Sequence, residues 1–394
     1  MPLSPRRWKA GWFPKGLIPS PLVALAFIGA LVVAGSGASS HTLPPGNAET
    51  MMAVVVDEFG LPEVLRVREV AKPEPGEGEL LLRVQAAGVN PVDASIRSGQ
   101  AAGMVGAELP YVPGFDVSGV VERVGPGVER FEPGDQVFAM MDLRRGGGYA
   151  EYALVKTEEA APRPIGTSHA EAASLPLVAL TGWQALFRTA KLEAGQEVLI
   201  HGGAGGVGSI AVQLAKWRGA RIIATASPRN HDFLRELGAD VVVDYNTERF
   251  EDHARDVDVV LDPIGGDTQI RSLEVLREGG TLVSLVGLTA EARSPPQGVE
   301  ATAILVQPDS AQLSRIAELV EGGTVRPVVT HRLPLHQAPD AHQQSETGHT
   351  RGKIVLEVGG SAPASSNSLF RMRSPEPTSE RRPWRPKPGA SCLM

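Results

Sequence analysis

Three glycines at one fixed spacing carry the first chemical signal in this sequence. Gly203, Gly205 and Gly208 give G-x-G-x-x-G inside the stretch EVLIHGGAGGVGSIAVQLAK, Glu197 to Lys216. Ahead of them Val198, Leu199 and Ile200 make a short apolar run suited to a buried strand. Behind them Val207, Ile210, Ala211 and Leu214 recur at helical spacing. A strand, a glycine turn and a helix in that order make a dinucleotide-binding unit. The glycines let the backbone approach a pyrophosphate. The helix N-terminus adds free N–H groups and the positive end of its dipole. A bare Gly-rich loop between two core elements would not need all three parts.

The segment after the helix sorts the dinucleotide. Units that take NAD hold the ribose 2′-hydroxyl with an Asp or Glu roughly 20 residues after the glycines. Here the region reads Ile222-Ile223-Ala224-Thr225-Ala226-Ser227-Pro228-Arg229-Asn230 and contains no acid. Ser227 can donate to a 2′-phosphate, and Arg229 can neutralise it through two N–H groups. A carboxylate there would repel it. Read as ordinary turn residues on a solvated face, Ser227 and Arg229 leave the missing acid unexplained. The residues therefore predict NADPH.

Such a turn needs a sheet behind it. From about Ala170 helices and strands alternate. Helical patterns cover Ala170–Ala173 and Thr181–Arg188 before the glycine unit. Arg221–Ala226 reads as a second strand and Phe233–Leu237 as helix. Val241–Val243, Val257–Leu261 and Thr281–Val286 are further strands, largely Val, Leu and Ile. Near-continuous apolar strands separated by helices predict an α/β fold with a doubly wound parallel sheet, covered on both faces. Ala303–Val306 is a candidate last strand and Ala311–Val320 a helix. Upstream, from Met52 to about Phe138, the pattern is β-rich. Ala53–Val56, Glu79–Val84, Val117–Val124 and Gln136–Met140 are separated by Gly and Pro, as in Pro73-Glu74-Pro75-Gly76. Val325 to Val358 returns to a β pattern, so it is expected to rejoin this first domain and leave a ligand cleft between the two.

A length of 394 residues suits two domains. Cys392 is the one cysteine, which excludes a disulfide within the chain and a cysteine-based zinc site. The net charge is −7 although both ends are basic, so the acid excess lies in the body. That argues against a general nucleic-acid binder. The N-terminus has Arg6, Arg7 and Lys9, an apolar run from Leu22 to Ala34, and small residues from Gly35 to Ser40. This is the layout of a signal peptide, and the Arg6-Arg7 pair hints at twin-arginine export. A membrane anchor is an alternative, although the apolar run is short against the ~20 residues a span needs. The preferred reading is an over-extended start, with the compact domain beginning at Met51-Met52. A cytoplasmic location is then expected, since NADPH is a cytosolic cofactor; export or anchoring through residues 1–40 is the alternative. The tail from Gly359 is rich in Ser, Pro and Arg and is expected to be disordered. Cys392 stands third from the end, not fourth, which argues against prenylation.

Seven segments together resemble the medium-chain dehydrogenase/reductase superfamily, in its zinc-free quinone oxidoreductase branch of ζ-crystallin-like enzymes. They are Ala86–Gly99, Pro113–Gly125, Gly146–Ala153, Leu180–Leu186, His201–Lys216, Gly279–Gly287 and Arg351–Val358. The resemblance implies a GroES-like β-rich catalytic domain around an inserted Rossmann domain. It divides the chain into an extension (1–50), catalytic domain (51–175), NADP-binding domain (176–323), a return to the catalytic domain (324–358) and a tail (359–394). Zinc-branch members carry a cysteine ligand where this chain has Asn90, and His-Glu where it has Phe115-Asp116. Zinc needs soft sulfur or imidazole ligands at fixed spacing, so no metal is expected.

The resemblance also implies site roles. Asn90 would lie beside the nicotinamide with Asp93 in the adjacent loop, and Thr181 near the nicotinamide-side phosphate. Gly205, Gly206 and Val207, within the Gly203–Gly208 turn, would line the pyrophosphate. Ser227 and Arg229 would take the 2′-phosphate and Tyr245 the adenine end. Leu285, Val286 and Gly287 would border the nicotinamide ribose. Leu305 and Val306 would touch the carboxamide through backbone groups, and Lys353 would sit at the domain junction. From the residues alone, Asn90 reads equally as a turn residue before Pro91, Asp93 as a helix cap, Tyr245 as packing after a strand, and Lys353 as a solvated charge. His201 reads as structural. Several family members carry a Tyr where this chain has Ser95, so Ser95, Tyr149 or a water would replace its hydrogen bond to the acceptor oxygen, and the proton would come from water or a nearby hydroxyl. The expected activity is NADPH-dependent hydride transfer to a quinone or α,β-unsaturated carbonyl, in a homodimer. A 2-alkenal or enoyl reductase is the near alternative, and an NADPH-binding sensor or structural protein without turnover the distant one.

Overall fold

The structure, a computed structural model, describes residues 49–359. The signal-like segment and the tail beyond Gly359 lie outside the described residues. So do the expectations of export, anchoring and tail disorder. Among the described residues no helix is long and apolar enough to cross a membrane.

The chain begins with β1 (Thr50–Val56) paired antiparallel to β2 (Leu65–Ala71). Then come β3 (Glu79–Val89), α1 (Pro91–Arg97), α2 (Ala102–Val105), β4 (Asp116–Val124), β5 (Gln136–Met140), β6 (Tyr152–Lys156), β7 (Ala160–Pro162) and α3 (His169–Ala173). α4 (Pro176–Trp183) runs into a π-helical turn, Gln184–Thr189. The glycine unit is next, as β8 (Glu197–Ile200) and α5 (Gly206–Arg218). After it come β9 (Arg221–Ala226), α6 (His231–Leu237), β10 (Val241–Asp244), β11 (Val257–Asp262), α7 (Gly266–Leu273), β12 (Leu276–Ser284), β13 (Glu300–Ala303) and α8 (Ser310–Glu321). The described chain closes with β14 (Val329–Pro334), α9 (Ala338–Glu346) and β15 (Lys353–Glu357).

Two larger sheets result. One is six-stranded, in the order β10-β9-β8-β11-β12-β13, with every neighbouring pair parallel. Counted from β8 this is the 3-2-1-4-5-6 order of a Rossmann sheet, whose ligand crevice opens where the order reverses, between β8 and β11. The glycine turn leaves β8 at that point. Val198, Leu199 and Ile200 are fully buried there, worth ~1.5–3 kcal/mol each. The other sheet is seven-stranded and mostly antiparallel. In it β15 pairs with β3, and Ile354 faces Val89. The largest apolar cluster spans both parts, from Ile96, Phe115 and Phe138 through Ile200 and Leu214 to Leu313 and Val325. The β-rich and parallel parts therefore meet across packed side chains.

The α/β class with its β-rich and Rossmann parts is the expected one. Local limits differ. The last parallel strand is Glu300–Ala303, not Ala303–Val306: Ile304 still donates to the Ser284 carbonyl at 3.0 Å, and the chain then leaves the sheet. The helix expected at Thr181–Arg188 begins at Pro176, where proline suits a first turn, and widens to a π turn at Gln184.

Candidate functional site

Gly205 precedes α5 and no side chain caps that helix, so its first amides are left for a ligand. Gly208 is fixed by space, and Gly203 is closely packed. A Cβ on Gly208 would lie 2.4 Å from the Gly202 carbonyl oxygen and 2.7 Å from the Gly203 Cα. One on Gly203 would stand 3.0 Å from the Ala224 Cβ. These contacts press helix, turn and strand together. Gly208→Ala is accordingly expected to cost ~1–3 kcal/mol and to weaken dinucleotide binding, read by thermal unfolding and cofactor titration. An unchanged melting temperature and affinity would contradict the close approach.

The turn is held from the other part of the chain. Gly352 donates its N–H to the Ala204 carbonyl at 2.9 Å and forms a bridge to Gly205. A Cβ on Gly206 would meet the Lys353 side chain at 3.2 Å. Val207 is half-buried on the same first turn of helix.

At the far end of β9, Ser227 is half-buried and its Oγ accepts from the Asn230 amide at 3.2 Å. Arg229 is exposed and donates to the His349 carbonyl at 3.0 Å. Arg351 donates to Asn230 Oδ1 at 2.7 Å and to the Arg229 carbonyl at 2.9 Å. A second guanidinium thus stands at this turn, and sequence reasoning missed it, although Arg351 opens a segment whose lysine was singled out. Tyr245 directly succeeds β10. The register pairs Ala226 with Asp244, so Ser227 and Tyr245 leave neighbouring strands side by side. Tyr245 is 52% exposed, which overturns the reading that it packs after the strand.

A buried polar cluster lies where α1 meets β4 and β15. Asn90, Asp93 and Asp116 are each wholly buried. Asn90 Nδ2 donates to Asp116 Oδ2 at 2.9 Å, and Asn90 Oδ1 accepts from the Lys353 ammonium. Lys353 Nζ also donates to the Val89 carbonyl at 2.7 Å and lies 3.6 Å from Asp116. The reading of Lys353 as a solvated charge is therefore corrected: it is 5% exposed and its ammonium is fully engaged. Burial pushes the Asp116 carboxyl up and the Lys353 ammonium down, and each is the chief force opposing the other's shift. Asp116 accepts in addition from the Leu177 N–H at 2.8 Å, which ties β4 to α4. Phe115, beside it, is a buried core ring.

Asp93 does part of what a helix cap would do: its Oδ2 accepts the Asn90 N–H at 2.7 Å. It also accepts from the Tyr149 hydroxyl at 3.2 Å, and that oxygen lies 3.4 Å from His342 Nε2. Tyr149 and His342 are buried, and Asp93 Oδ1 has no partner among the described residues. Ser95 is half-buried on the same helix. Burial above all pushes Asp93 up to about 7, against the pull of the Asn90 N–H and the Lys353 charge. In the unfolded chain it would ionise near 3.9. Folding then takes up a proton between the two values, and the stability this carboxyl contributes is lost as pH rises through about 7. Asp93→Asn removes that dependence. Its melting temperature is expected to gain on the parent's between about pH 5 and pH 8 by a few °C; an equal gap at both would contradict it.

Thr181 is buried on α4 and donates to the Leu177 carbonyl at 2.7 Å. The Leu285–Gly287 loop is shaped from below: Ser284 Oγ and Gln269 Nε2 both donate to the Gly287 carbonyl, at 2.7 and 3.0 Å. Gly287 sits at φ +88°, a region that favours glycine. Leu305 is 48% exposed and Val306 is buried beyond the end of β13. His201 bonds to Ser272 at 2.9 Å and lies against Phe250, a structural setting.

Known proteins share this arrangement. Residues 76–165 match the alcohol dehydrogenase GroES-like domain, and residues 237–356 match the family described as zinc-binding dehydrogenase. Over 364 residues the chain is 35% identical to the mitochondrial NAD(P)H oxidoreductase RTN4IP1 of Danio rerio, covering 81% of this chain and 94% of that one. The chain belongs to the medium-chain dehydrogenase/reductase superfamily. Within the superfamily it is an oxidoreductase of the quinone oxidoreductase branch, with a nicotinamide cofactor. It is also 36% identical over 332 residues to the chloroplastic NADPH-dependent alkenal/one oxidoreductase of Arabidopsis thaliana, covering 82% of this chain and 83% of that one. A solved structure, the quinone oxidoreductase from Coxiella burnetii, superposes with a TM-score of 0.74 at 36% identity, covering 79% of this chain and all of that one.

Proposed function

We propose that this protein is a zinc-independent, NADPH-dependent reductase of quinones or α,β-unsaturated carbonyls. The observation that carries the reading is the buried Lys353 ammonium, held by Asn90 and lying 3.6 Å from Asp116. Those are two of the positions at which zinc-branch members differ. An amide, a phenyl ring at Phe115 and a carboxylate already engaged by Asn90, Leu177 and Lys353 make a poor zinc donor set. A resident cation would repel a second one. Among the described residues no group of three or more His, Cys, Asp or Glu side chains is arranged to hold a metal. The zinc-binding description of the matched family then reflects the superfamily name, not the chemistry of this chain.

The residues fit NADPH. Gly203 to Gly208 leave backbone amides for the pyrophosphate, with Thr181 near its nicotinamide side. Ser227 and Arg229 receive the 2′-phosphate, supported by Arg351, and exposed Tyr245 receives the adenine end. Leu285, Val286 and Gly287 border the nicotinamide ribose. Leu305 and Val306 offer backbone groups to the carboxamide. Lys353 fixes the junction beside the turn. Bound there, the cofactor supplies the hydride. The protein's part is to hold the acceptor in line, exclude water and deliver a proton. Asn90, Asp93 and Ser95 are the side chains we assign to that centre. Tyr149 bonds to Asp93, so Ser95 or a water is the better placed proton source.

We set the domain limits at residues 51–175, 176–323 and 324–358, since β15 pairs with β3. The edge position of β13, which pairs with β12 alone among the described residues, supports a homodimer. The location we propose is cytoplasmic, with export or membrane anchoring through residues 1–40 as the alternative. The named relatives include mitochondrial and chloroplastic proteins. Steady-state oxidation of NADPH with 9,10-phenanthrenequinone, 1,4-benzoquinone and crotonaldehyde tests the activity. Turnover with a quinone supports the first reading, and turnover with crotonaldehyde alone favours a 2-alkenal reductase. Tight binding without oxidation by any acceptor would leave a sensor or structural protein.

A further inference from the structure

We infer that Gln184 is a positioning residue for the nicotinamide end of the cofactor, its buried carboxamide clamping the backbone at Leu305–Gln307. The inference rests on the assignment of Leu305 and Val306 to the cofactor carboxamide. α4 does not end at Trp183 but widens into a π turn, with Ala190 donating to the Ala185 carbonyl at 3.0 Å. Such turns are rare and recur at functional sites. Gln184 opens it and is 5% exposed. Its Oε1 accepts the Gln307 N–H at 3.1 Å, and its Nε2 donates to the Gln307 carbonyl at 2.8 Å and to Gln312 Oε1 at 3.1 Å. A buried amide is costly unless paired, and this one uses both of its N–H groups and its oxygen.

The segment it holds joins a strand to a helix without regular structure of its own. The chain leaves β13 at Ala303 and enters α8 at Ser310. Between them, the Ile304 N–H bonds to Ser284, Val306 is buried, Gln307 Nε2 donates to the Leu305 carbonyl at 3.3 Å, and Asp309 Oδ1 accepts from the Gln312 N–H at 2.9 Å. The two-point bond to Gln307 imitates a strand pair and fixes the backbone one residue after Val306. Thr181 stands one helical turn before Gln184 on the same helix. One helix thus carries the residue assigned to the nicotinamide-side phosphate and the clamp on the carboxamide segment.

The test compares NADPH with 2′,5′-ADP, which has the phosphorylated adenosine end and no nicotinamide. Gln184→Leu keeps the bulk and removes all three bonds. Gln184→Asn keeps the amide but withdraws it from Gln307, and serves if the leucine variant fails to fold. Either is expected to weaken NADPH about 10-fold, as the loss of one to two net hydrogen bonds would, with 2′,5′-ADP unchanged. The facial selectivity of deuterium transfer from 4-deuterated NADPH should fall in parallel. An unchanged NADPH affinity, or an equal loss for both probes, would overturn the clamp. The underlying assignment fails separately: wild-type protein would then bind NADPH no tighter than 2′-phospho-ADP-ribose, which lacks only the nicotinamide.

Discussion

Arg229→Ala is expected to lower kcat/KM for NADPH by about 10- to 100-fold, the worth of a charge-assisted contact of ~1.5–3 kcal/mol, and to leave NADH unchanged. The guanidinium stands beside Ser227 at the end of β9, where an NAD-type unit would hold an acid. Its one side-chain bond among the described residues, to the exposed His349 carbonyl, contributes little to folding, so the melting temperature should stay close to the parent's. The loss should be partial. Arg351 brings a second positive charge to the same turn, held on Asn230 and the Arg229 carbonyl. A double Arg229→Ala/Arg351→Ala variant should therefore fall further. Because both arginines reach solvent, the preference should weaken as salt is raised. If Arg229→Ala leaves the NADPH/NADH ratio where it was, the 2′-phosphate does not sit here.

Lys353→Met is expected to be the most destabilising single change at the centre, by ~3–5 kcal/mol. It removes the buried cation and leaves the Asp116 carboxylate without its counter-charge. The Val89 carbonyl and the Asn90 amide oxygen lose their donor. Asp116 can relieve the strain by taking a proton, since burial already pushes its carboxyl up. The penalty should thus be larger above neutral pH than below it. Pairing the change with Asp116→Asn should recover part of the loss, because an uncharged pair needs no counter-charge. Urea unfolding of the two single variants and the double gives the coupling directly. A Lys353→Met variant as stable as the parent, with no coupling to Asp116, would mean that the ammonium is not the counter-charge of this centre.

How far these effects were readable in advance depends on the distance over which each residue is decided. Val257–Leu261 and Val198–Ile200 announce themselves as strands because buried parallel strands are apolar on both faces. The glycine turn is equally local. β2 carries no such mark: Arg66, Val67 and Glu69 are exposed, and its charges hide the alternation. The state of Lys353 is settled by residues far away in sequence. β15 must pair with β3 before Lys353 can meet Val89 and Asn90, and β4 must bring Asp116. A lone lysine gives no sign of that. The same holds for His342, which reaches Tyr149 only because α9 returns to the first part of the chain. Arg351 and Gln184 are different. Both stood in segments already singled out, Arg351–Val358 and Leu180–Leu186, yet only Lys353 and Thr181 in them received roles. A side chain that works by holding another segment leaves no spacing to find.

The most direct measurement is NADPH oxidation by protein stripped with a strong chelator, with zinc counted per chain in the same sample. Asn90, Phe115, Asp116 and the Lys353 ammonium should give full turnover with at least one of the quinone or enone acceptors at far less than one zinc per chain. Activity that tracks bound zinc and disappears on chelation would contradict a metal-free centre.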